Sequence, residues 1–116
     1  MNTLIKTILE SNNEIYNLEV KGIIIDNKLV FYDEYRNVYD LDRNTLERES
    51  DDIYSYYNFE KNKIIYYIKE IKNSLDIKIK VIDKQIKENE IIIEYITYLN
   101  EEETRCKYII NWRKLW

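Results

Sequence analysis

An all-β sandwich or barrel is predicted by three features of this 116-residue chain. Apolar and charged side chains alternate strictly through Leu75-Asp-Ile-Lys-Ile-Lys-Val81, and Ile91, Ile93, Tyr95, Thr97 and Leu99 repeat the parity further on. Successive side chains of a strand point to opposite faces, so Leu75, Ile77, Ile79 and Val81 share one face while Asp76, Lys78 and Lys80 take the wet one. Turn signals built on Asn and Asp recur at spacings of about 8–12 residues, the rhythm of a sandwich or barrel. The pieces between them are rich in Ile, Val, Tyr and Phe, which suit a pleated, half-buried surface. Two such amphipathic strands need further sheet to cover their apolar face.

The elements follow in order. Residues 1–10 mix Lys6 and Glu10 with Leu4, Ile5, Ile8 and Leu9, and lack the apolar core and small-residue cleavage site of a signal peptide. After Ser11-Asn12-Asn13, a long strand is expected over 14–25, with Tyr16, Leu18, Val20, Gly22 and Ile24 on one parity. Gly22 within it marks a bend or a close backbone approach. Asp26-Asn27 then turns tightly into a strand over 29–34. Short strands are expected over 38–41, 45–49, 53–60 and 63–71, separated by Arg36-Asn37, Arg43-Asn44, Asp51-Asp52, Lys61-Asn62 and Asn73-Ser74. Ile64, Tyr67, Ile68, Ile71 and Leu75 also fall at helical spacing. Strand is preferred there, because a helix would put Ile65 and Tyr66 on its polar face. The chain is expected to reverse over 83–89, polar except for Ile86, and again over 100–104.

Composition narrows the class. Hydrophobic residues make up 45% of the chain, which supports a folded core despite 34% charged residues. The length suits a single domain spanning 1–116. A net charge of −4 repels phosphate backbones and anionic lipid, so neither nucleic acid nor membrane is an expected partner. No apolar run reaches the ~18 residues of a membrane helix. Cys106 is the one cysteine, so no intrachain disulfide forms and a cytoplasmic location is expected. One Gly and no Pro, set against abundant Ile, Lys, Asn and Tyr, point to an AT-rich, bacterial genome. That bias accounts for much of the excess among the 12 tyrosines before any binding role is invoked.

The order of short motifs resembles the YwiB-like family of bacterial proteins, which fold as lipocalin-like (calycin) β-barrels. The resemblance runs from about residue 14 to residue 113 and rests on Val20-Lys21-Gly22, Leu29-Val-Phe-Tyr-Asp-Glu34, Leu46-Glu-Arg48 and Tyr57-Asn-Phe59. Leu75-Asp-Ile-Lys-Ile79 and Ile93-Glu-Tyr95 continue it. Where the family is expected to place glycines, this chain has Glu49-Ser50 and Asn73. The family has no established activity, so the resemblance implies a fold and no mechanism. With it, the expected architecture becomes an antiparallel, lipocalin-like meander barrel of about eight to ten strands.

The chemistry on offer is limited. The chain has no His, hence no imidazole base, catalytic triad or histidine metal ligand. Cys106 lacks a base and is expected to be a buried structural thiol beside Tyr108. Asp40-x-Asp42-x-Asn44 with Asp51 imitates a calcium loop, but Thr45 holds the place of the required glycine and the flanks read as strands. No metal and no cofactor is therefore expected. Asp33-Glu34, at a strand end near Arg36, is the strongest of the carboxylate pairs, with a solvated turn as the favoured reading. Trp112 is expected to close the barrel floor with Tyr108 and Ile110, and Trp116 to pack nearby or fray.

Aromatic residues remain. Tyr54, Tyr56, Tyr57, Tyr66 and Tyr67 occupy adjacent positions that put rings on both faces. One expectation is a non-catalytic barrel holding a small apolar ligand, with Tyr57, Tyr67 and Tyr95 lining one end of a cavity. The alternative is a protein-interaction or structural module with a filled interior. Large inward residues favour filling: Tyr16, Leu18, Ile77, Ile79, Ile93, Tyr95, Tyr108 and Trp112. An enzyme ranks third, since acid–base groups other than carboxylates are scarce.

Overall fold

The computed structural model describes residues 1–115, which leaves the expectation for Trp116 outside the described residues. The chain forms β1 (Asn2–Ser11), β2 (Glu14–Ile25), β3 (Lys28–Tyr32), β4 (Arg36–Asp40) and β5 (Thr45–Glu49). It continues as β6 (Ile53–Asn58), β7 (Lys63–Ile68), β8 (Asn73–Lys87), β9 (Glu90–Leu99) and β10 (Glu102–Lys114). Each strand pairs antiparallel with its neighbours in sequence, and β1 also pairs with β10, closing a ten-stranded meander barrel.

Closed meanders need tight turns, and this chain makes them almost without glycine. Asn12-Asn13, Asp26-Asn27 and Asn100-Glu101 each place two successive residues at positive φ, between 50° and 65°. Two positive φ values define the hairpin turn whose twist matches that of the flanking strands. Asn and Asp tolerate this left-handed region better than other side chains do.

The one glycine serves packing. A Cβ at Gly22 would stand 2.5 Å from Ile5 Cδ1, 2.6 Å from the Val30 carbonyl oxygen and 3.1 Å from Phe31 Cβ. The close backbone approach expected at this position is where β2 meets β3.

The strands differ in length. β3 to β7 have five or six residues, whereas β1, β2, β8, β9 and β10 have ten or more. Consequently β2 pairs with β3 only through Ile23, Ile24 and Ile25. The first half of β2 has no partner on that side, and the wall opens there into a slit. The slit lies at the end of the barrel that carries the β1–β2 and β3–β4 turns; this end is the mouth.

Several boundaries correct the sequence reading. The turn expected at Arg36-Asn37 sits earlier, over residues 33–35, because Asp33 Oδ1 accepts the Tyr35 N–H at 2.7 Å. Arg36 and Asn37 already pair with Glu49 and Arg48. β6 stops at Asn58, whose Oδ1 accepts the N–H groups of Glu60 (3.1 Å) and Lys61 (2.9 Å). β7 ends at Ile68, and the reversal into β8 uses Lys72 at a φ of 51° in place of Asn73-Ser74.

The reversal expected over 83–89 shrinks to Glu88-Asn89, because β8 runs on to Lys87. A register shift between Val81 and Asp83 hides this in the sequence. The extra residue exchanges the two faces, so Lys84 and Ile86 pair with the inward Ile93 and Ile91.

The core centres on Ile5, Leu29, Phe31, Tyr39, Ile93 and Ile110, all 2% exposed or less. Tyr16 and Leu75, expected in the core, are 56% and 47% exposed because they stand at the mouth. Trp112 is half-buried against the core. Opposite the mouth, the base is tied by polar contacts. Tyr39 Oη donates to Asn44 Oδ1, while Asn44 Nδ2 and Lys84 Nζ both reach Glu60 Oε1.

Candidate functional site

A cavity of about 660 Å³ occupies the mouth half of the barrel. Its floor and inner wall are aromatic. Phe31 comes from β3, Tyr57 from β6, Phe59 from just beyond it, Tyr95 from β9 and Tyr108 from β10. The Phe59 and Tyr95 rings lie 5.5 Å apart at 50°, and the Tyr57 and Phe59 rings 6.2 Å apart at 31°. Leu9, Tyr16 and Leu18 form the side nearest the slit.

Strand parity puts these groups inside. On β6, Ser55 and Tyr57 face inward while Tyr54 and Tyr56 face out. On β7, Ile64 and Tyr66 face inward. The Tyr57 and Tyr66 hydroxyls meet at 3.0 Å, with their rings at 73°. Tyr67 takes the outer face, opposite Tyr54, and is 36% exposed. Of the three tyrosines singled out from sequence, Tyr57 and Tyr95 line the cavity. Tyr67 does not, because its neighbour Tyr66 holds the inward position.

A polar cluster crosses the mouth. Arg48, at the end of β5, donates from Nε to Asn37 Oδ1 at 2.9 Å and from Nη2 to Asp33 Oδ2 at 3.1 Å. Asp33 Oδ1 accepts from Tyr35 N and from Asn37 Nδ2 at 2.9 Å. The guanidinium lies 4.4 Å from the centre of the Tyr35 ring, a cation–π contact. Arg48 and Asp33 side chains are 30% and 24% exposed, so the pair is partly desolvated. Asp33-Glu34, the carboxylate pair singled out from sequence, therefore divides its roles. Asp33 fixes the turn and the arginine, and Glu34 stands at the exposed rim of the cavity.

The buried tyrosines in and beside the cavity keep their protons. Burial pushes the Tyr108, Tyr95 and Tyr66 hydroxyls well above their ordinary pKa of 10.0, and Arg48 only partly offsets this at Tyr66 and Tyr108. Tyr95 and Tyr108 line the cavity as neutral groups, and Tyr66 reaches it only through its hydrogen bond to the Tyr57 hydroxyl.

Arg48, Asn37 and Tyr35 were not singled out from sequence. A signal for Arg48 existed: it shares the parity of Leu46, so it is a charge on the apolar face of a strand.

Other candidates resolve into structure. Cys106 is buried at 7% exposure, with Sγ 3.6 Å from Ser11 Oγ. Asp40 Oδ1 accepts the N–H groups of Asp42 (3.0 Å) and Arg43 (3.1 Å), so the calcium-like pattern is spent on the β4–β5 turn. Asp51 lies beyond the other end of β5, too far round to join it. A shallower, polar depression of about 690 Å³ runs along the β1–β2 turn, lined by Glu10, Asn12, Glu14 and Arg105 among others. It lacks the apolar wall of the interior cavity.

Fold and cavity define a closed antiparallel meander barrel with an aromatic chamber at one end. Among solved structures it is similar to the crystal structure of the ywiB protein from Bacillus subtilis, with a TM-score of 0.68 and 15% sequence identity. The match covers 99% of this chain and 91% of that one, so the chain has a YwiB-like fold. No family model and no curated protein matches the sequence.

Proposed function

We propose that this chain is a non-catalytic, lipocalin-like binding barrel that holds one small, largely apolar ligand in the mouth cavity. The observation that carries the reading is the cavity itself. Its volume of about 660 Å³ lies within the roughly 300–1,000 Å³ usual for ligand pockets. The lining has the matching composition: aromatic walls with a few polar groups gathered at one side. The slit between the first half of β2 and the β3–β4 turn gives a ligand a way in without breaking strand pairs.

Fluorescence titration with phenylnaphthylamine, a neutral dye that brightens in apolar surroundings, tests this on wild type and Tyr95→Ala. The expected result is saturable binding of one equivalent by wild type, altered in the variant. No binding by wild type, with binding only after the truncation opens a hole, would overturn the reading. It would leave an interaction or structural module with a filled interior.

A further inference from the structure

We infer that Arg48 makes the cavity selective for ligands that carry an oxyanion head, a carboxylate or sulfonate, on their apolar body. This rests on the ligand-binding reading above. Arg48 is held at the cavity side of β5 by its cross-strand partners Asn37 and Ser55, which are 2% and 4% exposed. A guanidinium presents five N–H donors in a rigid fork. Two are engaged, by Asn37 and Asp33, and the other three have no acceptor among the described residues.

The surrounding polar atoms deepen the mismatch. Asp33 Oδ1 already accepts two N–H groups, and Asp33 Oδ2 and Asn37 Oδ1 each accept from Arg48. Two hydroxyls that bond each other, as Tyr57 and Tyr66 do, leave one proton uncommitted. Tyr108, neutral and lining the same space, adds another donor. The chamber therefore sets a fixed cation with spare donors beside neutral groups, Thr7, Asn17 and the tyrosine hydroxyls, that can donate as well as accept; its remaining carboxylate, Glu34, is exposed at the rim. An oxyanion accepts from a guanidinium fork in bidentate fashion and completes this set. An alcohol or amine on the same body would not.

Anilinonaphthalene sulfonate and phenylnaphthylamine share one ring body and differ by the sulfonate, so their affinity ratio isolates the head group. Wild type should bind the sulfonate about tenfold more tightly, the ratio expected for hydrogen bonds to a charged group. Arg48→Gln should abolish that preference, weakening the sulfonate by about tenfold more than it changes the neutral dye. Asp33→Asn, which removes the compensating charge, should raise the sulfonate-to-neutral affinity ratio.

Equal affinities in wild type, or an Arg48→Gln variant that weakens both dyes alike, would overturn the assignment and leave the cavity standing. If neither dye binds, the cavity reading falls as well. Thermal midpoints of each variant guard against misfolding. Should Arg48→Gln fail to fold, an unchanged or reduced sulfonate-to-neutral affinity ratio in Asp33→Asn would overturn the inference by itself.

Discussion

At Gly22 a single methyl group decides whether β1, β2 and β3 can meet. The Val30 carbonyl oxygen, 2.6 Å from where a Cβ would sit, belongs to the paired backbone and cannot step aside as the Ile5 methyl can. Gly22→Ala should therefore destabilise by about 1–3 kcal/mol, the range for overpacking, read as a lower urea midpoint. An unchanged midpoint would show that the strands can separate freely at this corner. Turn residues give the opposite sign. Glu101 sits at a φ of 65° without the local hydrogen bonding that makes Asn tolerable there. Glu101→Gly should stabilise by about 1 kcal/mol, and a lower thermal midpoint would contradict this. Most of these turns were legible as Asn and Asp pairs. Lys72 and Glu101 were not, since nothing in a lysine or glutamate announces positive φ.

The elements were legible to the degree that side chains alternate. β2 and β5 match their expected spans residue for residue, because parity and flanking turn residues agree. In β8 the alternation holds through Val81 and then fails at the bulge, so its second half reads as a loop. Ile64-Ile65-Tyr66-Tyr67 offers no alternation, so only pairing decides its faces. Ile64 opposite the buried Ile77 sends Tyr66 in and Tyr67 out. A direct check of this face assignment compares Ile77→Asp with Lys78→Asp. Ile77 is 9% exposed and Lys78 faces water. An unpaired carboxylate at 77 should cost several kcal/mol, a large part of a total stability of roughly 5–15 kcal/mol, while the change at 78 leaves the protein folded. Equal thermal midpoints would refute the assignment.

At the scale of the whole molecule, the cavity was the least legible feature. Large inward residues would fill an eight-stranded barrel, but barrel diameter grows with strand number, and here ten strands close. The unequal strand lengths then open the wall beside β2. Neither property is written in any single segment. The buried tyrosines also set a pH response. Tyr39, Tyr66, Tyr95 and Tyr108 are held neutral above the ordinary value of 10.0, chiefly by burial. Raised folded-state values contribute stability that is fully present below pH 10 and lost progressively above it, as the unfolded chain sheds these protons. Phenolate absorbance of these residues should therefore appear together with unfolding. A smooth titration of all tyrosines in the folded state would contradict this.

The central claim, that the mouth cavity receives an apolar ligand, is tested most directly by amide NMR during titration with phenylnaphthylamine. Shifts should gather at Leu9, Leu18, Phe31, Tyr57 and Tyr108, which line the chamber, and should saturate together. Shifts confined to exposed outer residues such as Ile23, Ile25 and Ile82, or none at all, would contradict it.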